Sequence, residues 1–193
     1  MNEPKTLRGQ QTREQILRAA EETIAANGYT LTSIADITRA AGIAQGTFYI
    51  YFKSKEAVFR ELVLEMGRMT RHALARVSAE APNRLEAERV GLRAFLAFVR
   101  ERPGLYRIVE EAKFVDPEAY RDYFDAFARS YEKRLEEAGA AGEIRPGDAE
   151  IRAWALMGMA KGLGERYALW DNGRPMDEVT ETAFDLIEKG LRP

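Results

Sequence analysis

The sequence predicts an all-α protein: a small domain of three helices carrying a helix-turn-helix over residues 1–55, and a larger helical domain over 56–193. Three observations carry this. Apolar residues recur at three- and four-residue spacing in one stretch after another. Many of those stretches open on Ser, Thr, Asp or Asn and close on Gly or Pro, residues that cap or end a helix. Residues 32–55, TSIADITRAAGIAQGTFYIYFKSK, hold two short helical patterns joined by a glycine turn.

The first helix opens at Thr12, with Gln15 in capping-box register, buries Ile16, Leu17, Ala20 and Ile24, and closes at Gly28. Lys5, Arg8 and Arg13 precede or open it, as a basic arm or as a solvated terminus. Ser33, or Thr32 just before it, caps the second helix, with Asp36 three residues after Ser33. Ile34, Ile37 and Ala41 form its apolar stripe, and Gly42 ends it with a positive φ. The third helix starts near Ala44, with Gln45, Gly46 and Thr47 in its first turn. Phe48 and Phe52, four apart, face the core and leave the hydroxyls of Tyr49 and Tyr51 outward. In a helix-turn-helix this second helix enters the major groove with its N-terminal residues at the base edges. Gly46 lets the backbone come close to another molecule, and Thr47, Tyr49, Tyr51 and Lys55 are side chains of the kind that contact phosphates.

From Ser54 one helix continues to Ala81, where Pro82 stops it. With no flexible linker, it would transmit displacement between the domains. His72 lies on it with Arg68 and Arg76 at four residues either side, and reads as a surface or interdomain residue. Asn83 caps the next helix, which Arg102-Pro103-Gly104 breaks. A short helix over 105–112 follows, and Asp116-Pro117 opens another over 118–138. That one carries Tyr120, Tyr123, Phe124, Phe127 and Tyr131 on one broad face. A Gly- and Ala-rich loop covers 139–147. A helix over 148–170 then holds Gly158, Gly162 and Gly164; each costs ~1 kcal/mol against Ala, so close approach of another helix is the expected reason. The turn Asp171-Asn172-Gly173-Arg174-Pro175 leads to a terminal helix opened by Asp177.

Composition excludes several classes. With no Cys and one His, disulfides, thiolate chemistry and histidine metal clusters are out; no catalytic set, metal site or cofactor motif is legible. A di-metal carboxylate bundle needs Glu-x-x-His, and Met69 stands three residues before His72. Glu110 and Glu111 have no nucleophile to serve. The polar start MNEPKTLRGQ is no signal peptide and no apolar run approaches ~18 residues, so the expected compartment is the cytoplasm, without a membrane partner. Net charge is −2, but residues 1–60 carry eight Lys/Arg against six Asp/Glu, and the remaining 133 carry 21 against 25. Such a chain would hold nucleic acid by a few placed contacts made twice, not by a broad basic patch.

The run T-S-I-A-D-I-x-x-A-A-G-I-A-x-G-T-F-Y-x-Y-F-x-S-K-E, residues 32–56, resembles the DNA-binding signature of TetR/AcrR-type transcriptional regulators. The signature covers the first third of the chain; beyond it the likeness is one of architecture. It implies base contacts from Ala44, Gln45, Gly46 and Thr47, and phosphate contacts from Thr32 or Ser33, Tyr49, Tyr51 and Lys55. One departure stands out: relatives often carry Ser or Thr where this chain has Ala44, so a hydroxyl contact is replaced by a methyl that suits thymine. The resemblance further implies a C-terminal ligand-binding and dimerisation domain, with the last two helices pairing with those of a second copy, and a double-stranded operator as partner. The aromatic surplus of the middle helices (Phe95, Phe98, Tyr106, Phe114, Tyr120, Tyr123, Phe124, Phe127, Trp154) is either core or the lining of a site for a small hydrophobic effector. Arg102, Arg107 and Arg121 lie where they would meet an anionic head group or pair with neighbouring glutamates. RPGLYRIVEEAKFVDPEAYRDYF, with ALMGMAKGLGERYALW, is similar to regulators that respond to acyl-CoA thioesters in fatty-acid or phenylacetate catabolism. The alternative is a regulator of an efflux pump that responds to aromatic or lipophilic drugs.

Overall fold

The computed structural model describes residues 6–170 and 173–193; the readings of Lys5, Asp171 and Asn172 fall outside them. Among the described residues the chain forms nine α-helices and one π-helical segment: α1 (Leu7–Asn27), α2 (Ile34–Ala40), α3 (Gln45–Tyr51), α4 (Lys55–Ala79), α5 (Arg84–Glu101), α6 (Pro103–Val115), α7 (Pro117–Ala140), α8 (Ala149–Leu163), the π segment (Gly164–Trp170) and α9 (Met176–Leu191). None of these helices is long and apolar enough to cross a membrane.

Most helix ends follow from their residues. Asn83 and Asp148 accept the backbone amides of Glu86 and Ile151, each at 2.9 Å, and so cap α5 and α8. Asp116 accepts from the Ala119 amide at 2.9 Å at the start of α7, where Pro117 occupies the first helical position. Two expectations are corrected. Thr6, not Thr12, caps α1, accepting from the Gly9 amide at 3.2 Å. Thr12 sits inside the helix and donates to the Arg8 carbonyl at 3.0 Å, a back-bond that capping-box spacing does not reveal. The helix expected over 105–112 spans Pro103–Val115 instead, because Pro103 lacks only an N–H that a first turn leaves unpaired anyway.

The residues cluster into two compact units, Met1–Met66 with Gly104–Tyr123, and Gly67–Pro103 with Phe124–Pro193. The first therefore joins α1–α3 and the start of α4 to α6 and the opening of α7. Its interior includes Ile16, Ala20, Ile24, Ile37, Phe48, Phe52, Val58 and Phe59. Arg60 is anchored within it by Asp116 at 3.2 Å and Glu118 at 3.0 Å.

In the second unit α5 packs along α9 and the π segment. Its core includes Leu92, Leu96, Leu135, Ile144, Met176, Val179, Ala183, Ile187 and Leu191. A polar cluster is buried beside it. Glu88 accepts the Tyr131 hydroxyl, and its other oxygen lies 2.8 Å from Arg84 Nε, a charge contact without hydrogen-bond alignment. Burial pushes the Glu88 carboxyl up, against the pull of Arg84 and the Tyr131 hydrogen bond. The three glycines of the 148–170 stretch divide. Gly164 meets Phe95 and Val99, where an added Cβ would lie 3.2 Å from the Phe95 ring; at Gly158 and Gly162 it would enter open space. Close approach within the chain thus explains Gly164 alone.

Candidate nucleic-acid interface

The two short helices are held by their own termini and by side chains from elsewhere in the first unit. Ser33, not Thr32, is the N-cap of α2: its hydroxyl accepts the Asp36 amide at 3.2 Å while Asp36 accepts the Ser33 amide at 2.9 Å. The Ser33 hydroxyl holds the Asp36 carboxyl below the usual carboxylate range. At the other end Gly42, φ +63, completes a Schellman turn, with its amide bonded to Arg39 O and the Ile43 amide to Thr38 O. Gln15 Nε2 donates to Ala41 O at 2.6 Å and ties that end to α1.

The inward anchors of α3 are Phe48 and Phe52, both buried, with ring centroids 5.8 Å apart. Seating them turns the opposite face outward. Gln45 and Gly46 are exposed, Tyr49 is 51% exposed, and Thr47 and Tyr51 are half-buried at its sides. Ala44 is the N-cap and supplies no side-chain hydrogen bond. Ile50, 73% exposed, also stands on the outward face and was missed in the sequence. The available signal was its position four residues after Gly46, on the helix side away from both phenylalanines.

Two of the expected phosphate contacts are placed differently. Thr32 is 1% exposed, and its hydroxyl donates to Gly28 O at 2.8 Å and Thr23 O at 3.2 Å. Of the Thr32/Ser33 pair, only Ser33 is at the surface. Lys55 Nζ donates to Tyr29 O and Thr32 O, each at 2.8 Å, and lies 4.0 Å from the centre of the Tyr29 ring. The Tyr29 hydroxyl donates to Glu56 at 2.9 Å; burial chiefly, then this carboxylate, pushes the phenol well up. Beside this junction lies a cleft of about 420 Å³ whose lining includes Ser33, Ile34, Tyr49, Lys53 and Lys55. Lys53 is exposed.

The candidate effector residues fall in both units. Tyr106, Arg107, Phe114, Tyr120 and Tyr123 belong to the first; Phe95, Phe98, Arg102, Phe124, Phe127 and Trp154 belong to the second. Within the second, Phe124 and Trp154 stack at 6.5 Å, with Lys161 Nζ 5.8 Å from the Phe124 ring. Arg71 lies over Phe127 and Arg102 over Phe98. Tyr123 is buried, whereas Arg102, Arg107 and Arg121 are exposed. Phe114 is 82% exposed with Lys113 beside its ring, and so departs from its expected place in an enclosed lining. Among the described residues no group of three or more His, Cys, Asp or Glu could hold a metal ion.

The model of bacterial regulatory proteins of the tetR family matches residues 16–62, the span from inside α1 to the first turns of α4. Along nearly its full length the chain is similar to the HTH-type transcriptional regulator YdgC of Bacillus subtilis: 30% identity over 193 residues, 96% of this chain and 95% of the relative. The fatty acid metabolism regulator protein of Bacillus subtilis is 47% identical over 55 residues, 28% of each chain. Among solved structures, the transcriptional regulator FadR from Bacillus subtilis in complex with stearoyl-CoA superposes with a TM-score of 0.78, over 90% of this chain and 96% of its own. At 20% identity, that likeness is one of fold.

Proposed function

Because the chain belongs to the tetR family of bacterial regulatory proteins, transcriptional regulators and not enzymes, we propose that it is a repressor. It binds a pseudo-palindromic duplex operator as a homodimer and is released by a small hydrophobic effector, an acyl-CoA of the fatty-acyl or phenylacetyl type. The observation that carries the DNA-reading part is the outward face of α3, with Gln45, Gly46, Tyr49 and Ile50 together on the side opposite the buried phenylalanines. Gln45 has the amide that pairs bidentately with adenine, Tyr49 is suited to a phosphate, and Ala44 and Ile50 offer methyl groups to thymine.

The dimer reading is supported by α8 and α9, where Ile151, Trp154 and Leu186 are exposed and Gly158 and Gly162 border open space. A second copy placing the same helices there would cover them and form an isologous, twofold interface. The effector class is supported by the stearoyl-CoA bound to the FadR of similar fold and by the fatty acid metabolism regulator that is 47% identical over 55 residues. Release requires only that the effector bind the non-DNA conformer more tightly, and a coupling of about 1–3 kcal/mol suffices.

Selection from a random-sequence duplex pool, followed by titration with stearoyl-CoA, tests the whole reading. The enriched sequence should be an inverted repeat with two half-sites. Gln45→Ala should relax preference at one base pair of each half-site, a loss of about 1–3 kcal/mol in discrimination, with non-specific binding kept. Stearoyl-CoA should release the duplex where free CoA does not. Retention without any enriched sequence defeats the operator; release by neither stearoyl-CoA nor phenylacetyl-CoA defeats the effector class.

A further inference from the structure

We infer that the two lysines at the α3–α4 junction divide the work of holding DNA: Lys53 supplies the charge that neutralises a backbone phosphate, and Lys55 is a positioning residue that locks the turn from which α2 starts. This rests on the DNA-binding reading above, and deepens it.

The side chain that the sequence favours for the phosphate is Lys55, and its ammonium is already engaged. An ammonium has three N–H donors. Two of them go to Tyr29 O and Thr32 O at 2.8 Å, and the charge sits 4.0 Å from the Tyr29 ring centre. These are charge-assisted bonds to main-chain carbonyls of half-buried and buried residues. Swinging away from them toward a phosphate would give up both bonds, and in place the ammonium keeps one N–H for any other partner.

What those bonds hold is the 28–32 turn, and other groups grip it from further directions. Glu111 on α6 accepts the Tyr29 amide at 2.6 Å, and the buried Thr32 hydroxyl donates back to Gly28 O at 2.8 Å. Gly28 adopts φ +79, ψ 161, a conformation that only glycine takes readily. The next residue after the turn is Ser33, the cap of α2. Lys55 thus fixes the start of α2, as Gln15 fixes its end by donating to Ala41 O. With both ends set, the helix that α3 packs against has one position. Lys53 has the complementary placement. It is exposed and lines the same cleft as the exposed Tyr49, a cation beside a phenol hydroxyl, a pair that suits phosphate oxygens, whereas the Ser33 hydroxyl there is already given to Asp36.

The salt dependence of duplex binding separates the two roles, because each neutralised phosphate contributes about 0.9 to the slope of log K against log salt. The duplex is the one that the wild-type protein selects from a random pool; if it selects none, the DNA-binding reading fails first and separately. Lys53→Met should lower the slope by about 0.9 per bound copy and leave the melting temperature unchanged. Lys55→Met should lose about tenfold or more in affinity at fixed salt, with the slope unchanged. That loss must persist at a temperature where circular dichroism shows the variant fully folded, and amide exchange should quicken within residues 29–36. A merely structural role would lower the melting temperature and leave affinity intact below it. If Lys55→Met does not fold, Lys55→Gln, which keeps two N–H donors without the charge, is read the same way. An unchanged slope for Lys53→Met, a slope lowered by about 0.9 for either Lys55 variant, or wild-type affinity in a folded Lys55 variant each overturns the assignment.

Discussion

Gly28 shows how one residue couples local conformation to tertiary contact. Its φ of +79 with ψ of 161 lies where a side chain is strained, and a Cβ built there would stand 3.0 Å from Glu111 Oε1. Gly28→Ala is therefore expected to destabilise the protein by about 1–3 kcal/mol, read as a lowered midpoint in urea denaturation. Gly42, φ +63, is also left-handed, but no atom lies within 4 Å of its added Cβ, so alanine there carries only the backbone cost. Both glycines were legible in the sequence as helix ends. The choice between Thr32 and Ser33 was not, because either hydroxyl can cap α2. The packing decides it by turning Thr32 inward onto the Gly28 carbonyl. The bonds of Lys55 were not legible for a related reason: its partners are carbonyls 23 and 26 residues upstream, and spacing along the chain does not report them.

At the scale of the helix, α2 and α3 differ in how they begin. The start of α2 is closed by a reciprocal capping box, while α3 starts on Ala44 with no side chain to bond its first amides. Ala44→Ser should add that bond and raise stability by about 0.5–1 kcal/mol in a thermal melt, because the residue already has the extended conformation of an N-cap, φ −71 and ψ 147. Helix existence was readable nearly everywhere from apolar spacing and caps. Misplaced boundaries came where a residue has two uses, Thr12 as cap or back-bonder and Pro103 as breaker or first helical residue. The widening of α8 into a π-helical segment at Gly164–Trp170 had no signal, and nothing in its local residues accounts for it. The candidate effector residues were legible as aromatic surplus only. Their grouping into a stacked Phe124–Trp154 pair and an outward Phe114 depends on how α6, α7 and α8 are rotated.

Across the molecule, each unit carries a polar element that the fold must satisfy. In the second it is Glu88, buried between Arg84 and Tyr131. Replacing this carboxylate leaves the Arg84 charge without its partner, so Glu88→Ala should cost about 3–5 kcal/mol, measured by chemical denaturation at neutral pH. Since burial raises the carboxyl above its ordinary value in the folded chain, the folded state binds the proton more tightly than the unfolded one. The stability of the native protein from this group is thus greatest below the ordinary carboxylate range and declines as pH rises through the raised value. Glu88→Ala should remove that part of the pH dependence.

In the first unit the polar ties connect stretches far apart in sequence: Glu111 with Tyr29, and Arg60 with Asp116 and Glu118. The reading head is therefore not a detachable front end. A fragment cut after Met66 keeps every residue proposed to face the duplex, yet loses the acceptor for the Tyr29 amide and the acidic partners of Arg60. Anyone grafting this head onto another regulator has to carry two separated pieces of chain, or supply substitutes for the second.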